Sequence, residues 1–141
     1  MGEYLAEHGI DVFLNDALTL AAEVLPEKPA AFLAAYFDAV DSGTHVLGRS
    51  MEFITACAYN AMSAGSAWRE AYAGLDASML LSGGDAFELT VRLFPDLPQE
   101  VVEAAMARSD REVEAGVTVA SFAQLLAAEL NSRVAHRLPP R

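Results

Sequence analysis

The chain has 141 residues, enough for one domain or for a small module plus a companion unit. Its formal net charge is −11, so we expect no nucleic-acid partner and no anionic membrane partner for the body of the protein. One cysteine excludes an internal disulfide bond, and no apolar run approaches the roughly 20 residues of a membrane span. These features predict a folded, soluble, intracellular protein.

The predicted elements are all helical, because alanine, leucine and glutamate are abundant and no alternating apolar pattern persists. Proline and glycine breakers divide the chain into helices at about 10–25, 29–41, 46–74 (one long helix or a broken pair), 86–94, 98–109 and 119–134. Asp85 and Glu88 form a D-x-x-E capping pattern, and Thr118 can cap the last helix. We predict an all-α fold with a helical hairpin in residues 1–43, a helical region in 44–134 and a basic tail in 135–141.

The predicted hairpin carries more apolar surface than its own packing uses. On a helical wheel, the apolar arc of residues 10–25 spans roughly 160°, against the ~100° that covers one core. Two such hairpins crossing as a four-helix bundle would leave a groove that accepts an amphipathic helix. Alternatively, residues 45–141 cover this surface in a monomeric helical domain. Periodicity alone leaves both alternatives open.

The stretch YLAEHGIDVFLNDALTLAAEVLPEKPAAFLAAYF, from Tyr4 to Phe37, resembles the dimerisation and docking motif of the type II regulatory subunit of cyclic-AMP-dependent protein kinase and of the Dumpy-thirty family. Its most specific part is P-x-x-P-x-x-F-L-A, from Pro26 to Ala34. The resemblance implies an X-shaped homodimer or heterodimer whose first helices bind an amphipathic helix of an anchoring protein. Many members of this family work in cilia and flagella, and others serve in chromatin complexes.

The same resemblance implies roles for individual residues of the hairpin. The docking groove for the partner helix would be lined by Ile10, Leu14, Ala17, Leu18 and Ala21. The interior of the dimer would be filled by Phe13, Leu20, Phe32, Leu33 and Tyr36. Both assignments require that two hairpins associate.

The remaining sequence resembles the noncatalytic first subunit of the tubulin polyglutamylase complex, which begins with the same type of hairpin. The resemblance is carried by the order of LGRSMEFITACAYNAMSAGSAWREAYAGL, GGDAFELTVRLF and PQEVVEAAMARSDREVEAGVTVASFAQLLAAEL. It implies a protein of the cytoplasm and cytoskeleton that assembles into a microtubule-associated complex of a cilium or flagellum, with tubulin or an axonemal complex as a partner.

Within this region, one segment resembles the calcium-binding loop of an EF-hand. Asp110, Glu112 and Glu114 fall at loop positions 1, 3 and 5, where calcium needs oxygen ligands. The glycine falls at position 7 instead of 6, and position 12 is Ser121, which has no carboxylate. The stretch Asp76–Asp85 is a weaker copy. We therefore predict a degenerate EF-hand pair that has a structural role and binds no calcium.

No pattern of catalytic residues is present: the sequence lacks a phosphate-binding glycine loop, H-E-x-x-H, C-x-x-C and G-x-S-x-G. We expect no enzyme activity, no catalytic residue, no cofactor and no metal site. Trp68 and Tyr72, one helical turn apart, are expected in the core or at a partner contact.

Three functional hypotheses follow from these features. The first is a noncatalytic dimerisation and docking adaptor, a structural component of the ciliary or flagellar axoneme. The alternative is an auxiliary subunit of a tubulin polyglutamylase complex, favoured by the basic residues Arg133, Arg137 and Arg141, which can contact acidic tubulin tails. The third, a calcium sensor, rests on the imperfect loop at Asp110.

Overall fold

The computed structural model describes residues 3, 4, 8–109 and 116–135 of the chain. The chain divides into two compact units, Met1–His45 and Val46–Arg141, and we treat each by itself. Within the described ranges there are seven α-helices and one two-stranded sheet. In chain order these are α1 (Ile10–Val24), α2 (Pro29–Ser42), α3 (Met51–Ile54), α4 (Ala58–Ala71), β1 (Leu80–Leu81), α5 (Gly83–Leu93), α6 (Gln99–Ala107), β2 (Val117–Thr118) and α7 (Val119–Ala135).

The mostly helical architecture confirms the prediction of an all-α fold. Both predicted hairpin helices are present, and the segment 46–74 contains a broken pair, α3 and α4, rather than one long helix. Among the described residues, no helix combines the length and the apolar character needed to cross a membrane.

One of the two capping predictions is wrong. The N-cap of α5 is Ser82, whose hydroxyl accepts a hydrogen bond from the Asp85 backbone N–H at 3.1 Å, while the Asp85 carboxylate accepts from the Ser82 N–H at 3.4 Å. Glu88 instead pairs with Arg92 one turn later, at 3.2 Å. The other prediction is confirmed, because the Thr118 hydroxyl accepts from the Ser121 N–H at 3.2 Å.

In the first unit, a turn of four residues, 25–28, connects α1 to α2. Leu25 ends α1 in a left-handed conformation, with φ 53°, and its N–H donates to the Ala21 carbonyl at 2.9 Å. Pro29 suits the first position of α2, where a backbone N–H has no partner within the helix. The Tyr36 hydroxyl on α2 donates to the Asp16 carboxylate on α1 at 2.7 Å, which links the two helices.

In the second unit, α7 packs against α4 and α6, around the fully buried ring of Trp68. The centroid of the Trp68 ring lies 4.8 Å from the ring centroid of Phe122 and 4.9 Å from the ring centroid of Tyr72. Its Nε1–H donates to the buried Thr90 hydroxyl at 3.2 Å, so the indole satisfies its one polar group. Trp68 therefore belongs to the core, one of the two alternatives that the sequence left open.

The short sheet joins two loops of the second unit. β1 and β2 pair antiparallel, with Leu80 opposite Thr118 and Leu81 opposite Val117. Gly116, which precedes β2, has φ 80°, and a Cβ atom there would lie 2.7 Å from the Leu81 carbonyl oxygen. Only glycine combines this backbone conformation with so close an approach of the two loops.

Candidate functional site

Four residues of α1 form a narrow apolar row that we call the docking stripe: Ile10, Leu14, Leu18 and Ala21. At 100° per residue they share an arc of about 80° on the helix. Leu14 is 46% exposed and Leu18 is 65% exposed, whereas Ile10 and Ala21 are half-buried. Leu14 and Leu18 are therefore large apolar side chains on the surface of the chain.

Ala17, the fifth residue predicted to line the groove, is placed differently. It is 1% exposed and is buried, as is Phe13, which is also on α1. The described chain therefore leaves Ala17 no accessible surface for a partner helix, and the accessible part of the predicted groove is the docking stripe.

The residues predicted to fill the dimer interior are only partly covered. Phe13 and Tyr36 are buried, and the Phe13 ring meets the His45 ring edge-on at 5.5 Å. Leu20, Phe32 and Leu33 are half-buried. Half-buried leucine and phenylalanine side chains retain apolar area that association can remove from water.

Further exposed apolar residues of the hairpin were not assigned a role from the sequence. Leu25 is 78% exposed, Val24 is 59% exposed and Phe37 is 38% exposed. Leu25 lies one turn beyond Ala21, so an extension of the i, i+4 spacing of the docking stripe could have indicated it. The C-terminal end of α1 therefore continues the exposed apolar surface.

The second unit contains a charge cluster around one buried carboxylate, which was not predicted although two of its members have the i, i+4 spacing of a helical ion pair. We call it the arginine cluster: Arg108, Glu129 and Arg133. The Glu129 carboxylate, on a residue 8% exposed, accepts from the Arg108 Nε at 3.0 Å and from the Arg133 Nε at 2.8 Å. Burial alone raises the pKa of Glu129, but the hydrogen bonds and charges of the two arginines outweigh it and hold the pKa below its usual value.

Beside the arginine cluster lies a cavity of about 290 Å³, which we call the polar pocket. It is lined by Arg108, Ser109, Val117, Thr118, Ser121, Gln124 and Leu125. The lining includes one guanidinium, three hydroxyl groups and one side-chain amide, and the Thr118 hydroxyl already donates to that of Ser121. These groups suit an anionic or strongly polar ligand atom better than an apolar one.

The predicted calcium loop falls largely outside the described residues, since Asp110, Glu112 and Glu114 belong to 110–115. Ser121, at its twelfth position, is described, and its hydroxyl accepts from that of Thr118 at 2.9 Å. Among the residues that the structure covers, no group of three or more His, Cys, Asp or Glu side chains is arranged to hold a metal ion.

The predicted basic tail is described only where it begins. Arg133 lies in the last turn of α7 and pairs with Glu129, whereas Arg137 and Arg141 lie outside the described residues. The charge of Arg133 is therefore partly balanced within the fold.

Comparison with known proteins adds one relative. The chain is similar to the "Centriolar satellite-associated tubulin polyglutamylase complex regulator 1" of Danio rerio, with 32% identity over 106 residues. The matched part covers 72% of this chain and 32% of that protein, so the chain spans about a third of the relative's length. No family model matches the chain, and no solved structure matches it.

Proposed function

We propose that the chain is a noncatalytic regulatory component of a tubulin polyglutamylase complex, located in the microtubule cytoskeleton near centrioles or cilia. The similarity to a protein named as a regulator of that complex carries this proposal. It favours the second of the sequence-based hypotheses over a structural role in the axoneme. A regulator needs no catalytic residues of its own, which agrees with the expectation from the sequence motifs.

In this proposal the first unit is a dimerisation and docking hairpin. The exposed apolar side chains of the docking stripe support it, because Leu14 and Leu18 lie one turn apart on one face of α1, as a helix-in-groove contact requires. The half-buried Leu20, Phe32 and Leu33 would be covered by a second hairpin, from another copy or a related chain. The docked partner is an amphipathic helix of another component of the complex.

The second unit, in this proposal, is an EF-hand-like pair that serves as a structural support. Two helix–loop–helix segments, α4 with α5 and α6 with α7, have connecting segments that meet in the β1–β2 pair. Val117 is the eighth residue counted from Asp110, and it pairs with Leu81. Since Ser121 replaces the bidentate glutamate of a calcium loop, we propose no calcium-sensing role.

The test is capture of glutamylating activity with the tagged chain from ciliated cells. The wild-type chain should bring down material that adds glutamate to tubulin. The double variant Leu14→Glu, Leu18→Glu should lose most of this activity, because two carboxylates on the docking stripe cannot be buried against an apolar partner face. Its helical content should stay near that of the wild type, since both residues are exposed.

A matched control is the double variant Asn15→Glu, Thr19→Glu, which places two glutamates at the same spacing on the exposed polar face of α1. It should capture as much activity as the wild type. If the wild-type chain captures no glutamylating activity, the proposed function is wrong. If both double variants lose it equally, docking does not occur through the stripe.

A further inference from the structure

The arginine cluster carries an excess of positive charge in a chain whose formal net charge is −11. Two guanidinium groups share one carboxylate, and each uses only its Nε to bind Glu129. Within the described ranges, the Nη groups of Arg108 and Arg133 make no further hydrogen bond. Their side chains remain 40% and 37% exposed. The cluster therefore presents unused charged donors to solvent.

Arg108 belongs to both the arginine cluster and the polar pocket, so the two form one continuous surface. Arg133 and Arg108 approach the same Glu129 carboxylate, at 2.8 Å and 3.0 Å, so the two guanidinium groups are neighbours. The surface therefore offers adjacent cationic and polar positions, which suits an extended peptide that carries several carboxylates.

We propose that this surface binds an acidic peptide, a run of glutamates whose carboxylates contact Arg108, Arg133 and Gln124 at the edge of the polar pocket. The inference rests on the proposed function, because glutamate chains on tubulin are the product of a polyglutamylase, and it specifies what this chain would recognise there. Guanidinium groups bind carboxylates through two parallel hydrogen bonds, which gives them an advantage over a lone ammonium group.

The experiment measures the binding of a fluorescein-labelled peptide of ten glutamates to the full chain by fluorescence anisotropy, at a salt concentration near 0.1 M. Arg108→Gln should weaken binding about fivefold or more, since it removes the cation shared by the pocket and the cluster. Arg92→Gln is the matched control. Arg92 is also exposed and also paired with a glutamate, yet it lies on α5, so its variant should bind within about twofold of the wild type.

A second pair of variants leaves the ion pairs intact. Gln124→Glu puts a negative charge into the pocket from an exposed helical position and should weaken binding about fivefold. Gln99→Glu makes the same change at an exposed position of α6 outside the pocket and should have little effect. Asp110, Glu112 and Glu114 are present in every variant, so their charges are the same on both sides of each comparison.

Glu129→Gln separates recognition from a purely structural role of the cluster. It leaves both arginine charges unbalanced, so the peptide should bind more tightly even though the fold loses stability. Unchanged or weaker binding by this variant, or equal losses in Arg108→Gln and Arg92→Gln, would overturn the proposal. Peptide binding without captured glutamylating activity would retain this inference and reject the proposed function; captured activity without peptide binding would do the reverse.

Discussion

Single residues decide where charge is held in the second unit. Glu129 is covered by the fold, yet two arginines from the end of α6 and the last turn of α7 keep it ionised. Arg108 and Glu129 are 21 positions apart, and no spacing rule connects them. Glu129 and Arg133 have the i, i+4 spacing of a helical ion pair, which the sequence could have indicated, whereas Arg108 joins them only through the packing of α6 on α7.

The lowered pKa of Glu129 predicts a pH-dependent stability. Between the folded pKa and the ordinary value of 4.5, the unfolded state binds more protons, so stability falls as the pH falls through that window. At pH 7, Glu129→Gln should lower the free energy of unfolding by roughly 1–3 kcal/mol, measured by urea denaturation. The loss should shrink as the pH falls from 4.5 towards the lower pKa of the folded state, because the stabilisation by the ionised carboxylate is then lost from the wild type as well. Exposed Glu103→Gln serves as control and should change stability little at either pH.

Leu25 combines two unfavourable features for an isolated chain, a left-handed backbone and a 78% exposed leucine side chain. Asparagine adopts this conformation more readily, so Leu25→Asn should raise the free energy of unfolding by roughly 0.5–1 kcal/mol. The same change at Leu18, exposed but inside α1, should instead lower it by a few tenths of a kcal/mol, because asparagine is the poorer helix former. Thermal unfolding followed by circular dichroism compares the two, and equal effects would argue against strain at Leu25.

At the scale of elements, periodicity and breakers predicted the helices well, and contacts between elements were missed. The hairpin helices α1 and α2 fall close to their predicted ranges because proline and glycine mark their ends. The start of α5 was missed because Ser82, before two glycines, caps better than Asp85 alone. The β1–β2 pair could not be predicted, since each strand has two residues and its partners lie 36 and 38 positions away in the sequence. The docking role of Ile10, Leu14, Leu18 and Ala21 stays a prediction. The burial of Ala17, which was predicted to join them, depends on packing that a helical wheel does not contain.

Gly65 sets the distance between α4 and α7. A Cβ atom at this position would lie 2.6 Å from the Ala127 Cβ and 2.9 Å from the Ala123 carbonyl oxygen. Gly65→Ala should therefore destabilise the chain by roughly 1–3 kcal/mol, despite the higher helix propensity of alanine, as measured by urea denaturation. Gly74→Ala, where the added methyl meets nothing within 4 Å, should be close to neutral.

A double variant tests whether the destabilisation by Gly65→Ala arises at the contact between α4 and α7. Adding Ala127→Gly removes one of the two contacts and leaves the carbonyl contact, so it should recover part of the loss. The coupling free energy between the two positions is then different from zero. Strictly additive effects would show that the added methyl acts elsewhere.

At the scale of the whole molecule, the two units differ in the size of their hydrophobic cores. The largest fully buried side chains, among them Trp68, Phe94 and Phe122, all lie in the second unit. Among the described residues of the first unit, the buried apolar ones are Phe13, Ala17, Tyr36 and Val40, whereas Leu14 and Leu18 of α1 are exposed. A segment of about forty residues with so small a core usually requires association to fold.

This difference predicts contrasting behaviour of two fragments. Residues 46–141 should unfold cooperatively and independently of concentration, because their core is complete within one chain. Residues 1–45 should gain helical ellipticity as the concentration rises from about 2 to 200 µM, because folding is then coupled to association. Sedimentation equilibrium should show a dimer over the range of concentration in which helicity rises.

Half-buried Leu33 distinguishes the two possible outcomes. Leu33→Glu should abolish both the rise in helicity and the dimer if Leu33 fills the dimer interior, whereas Ala30→Glu, at an exposed position, should abolish neither. A monomeric fragment of constant helicity would mean that the hairpin folds alone, and its exposed leucines would then serve docking without dimerisation.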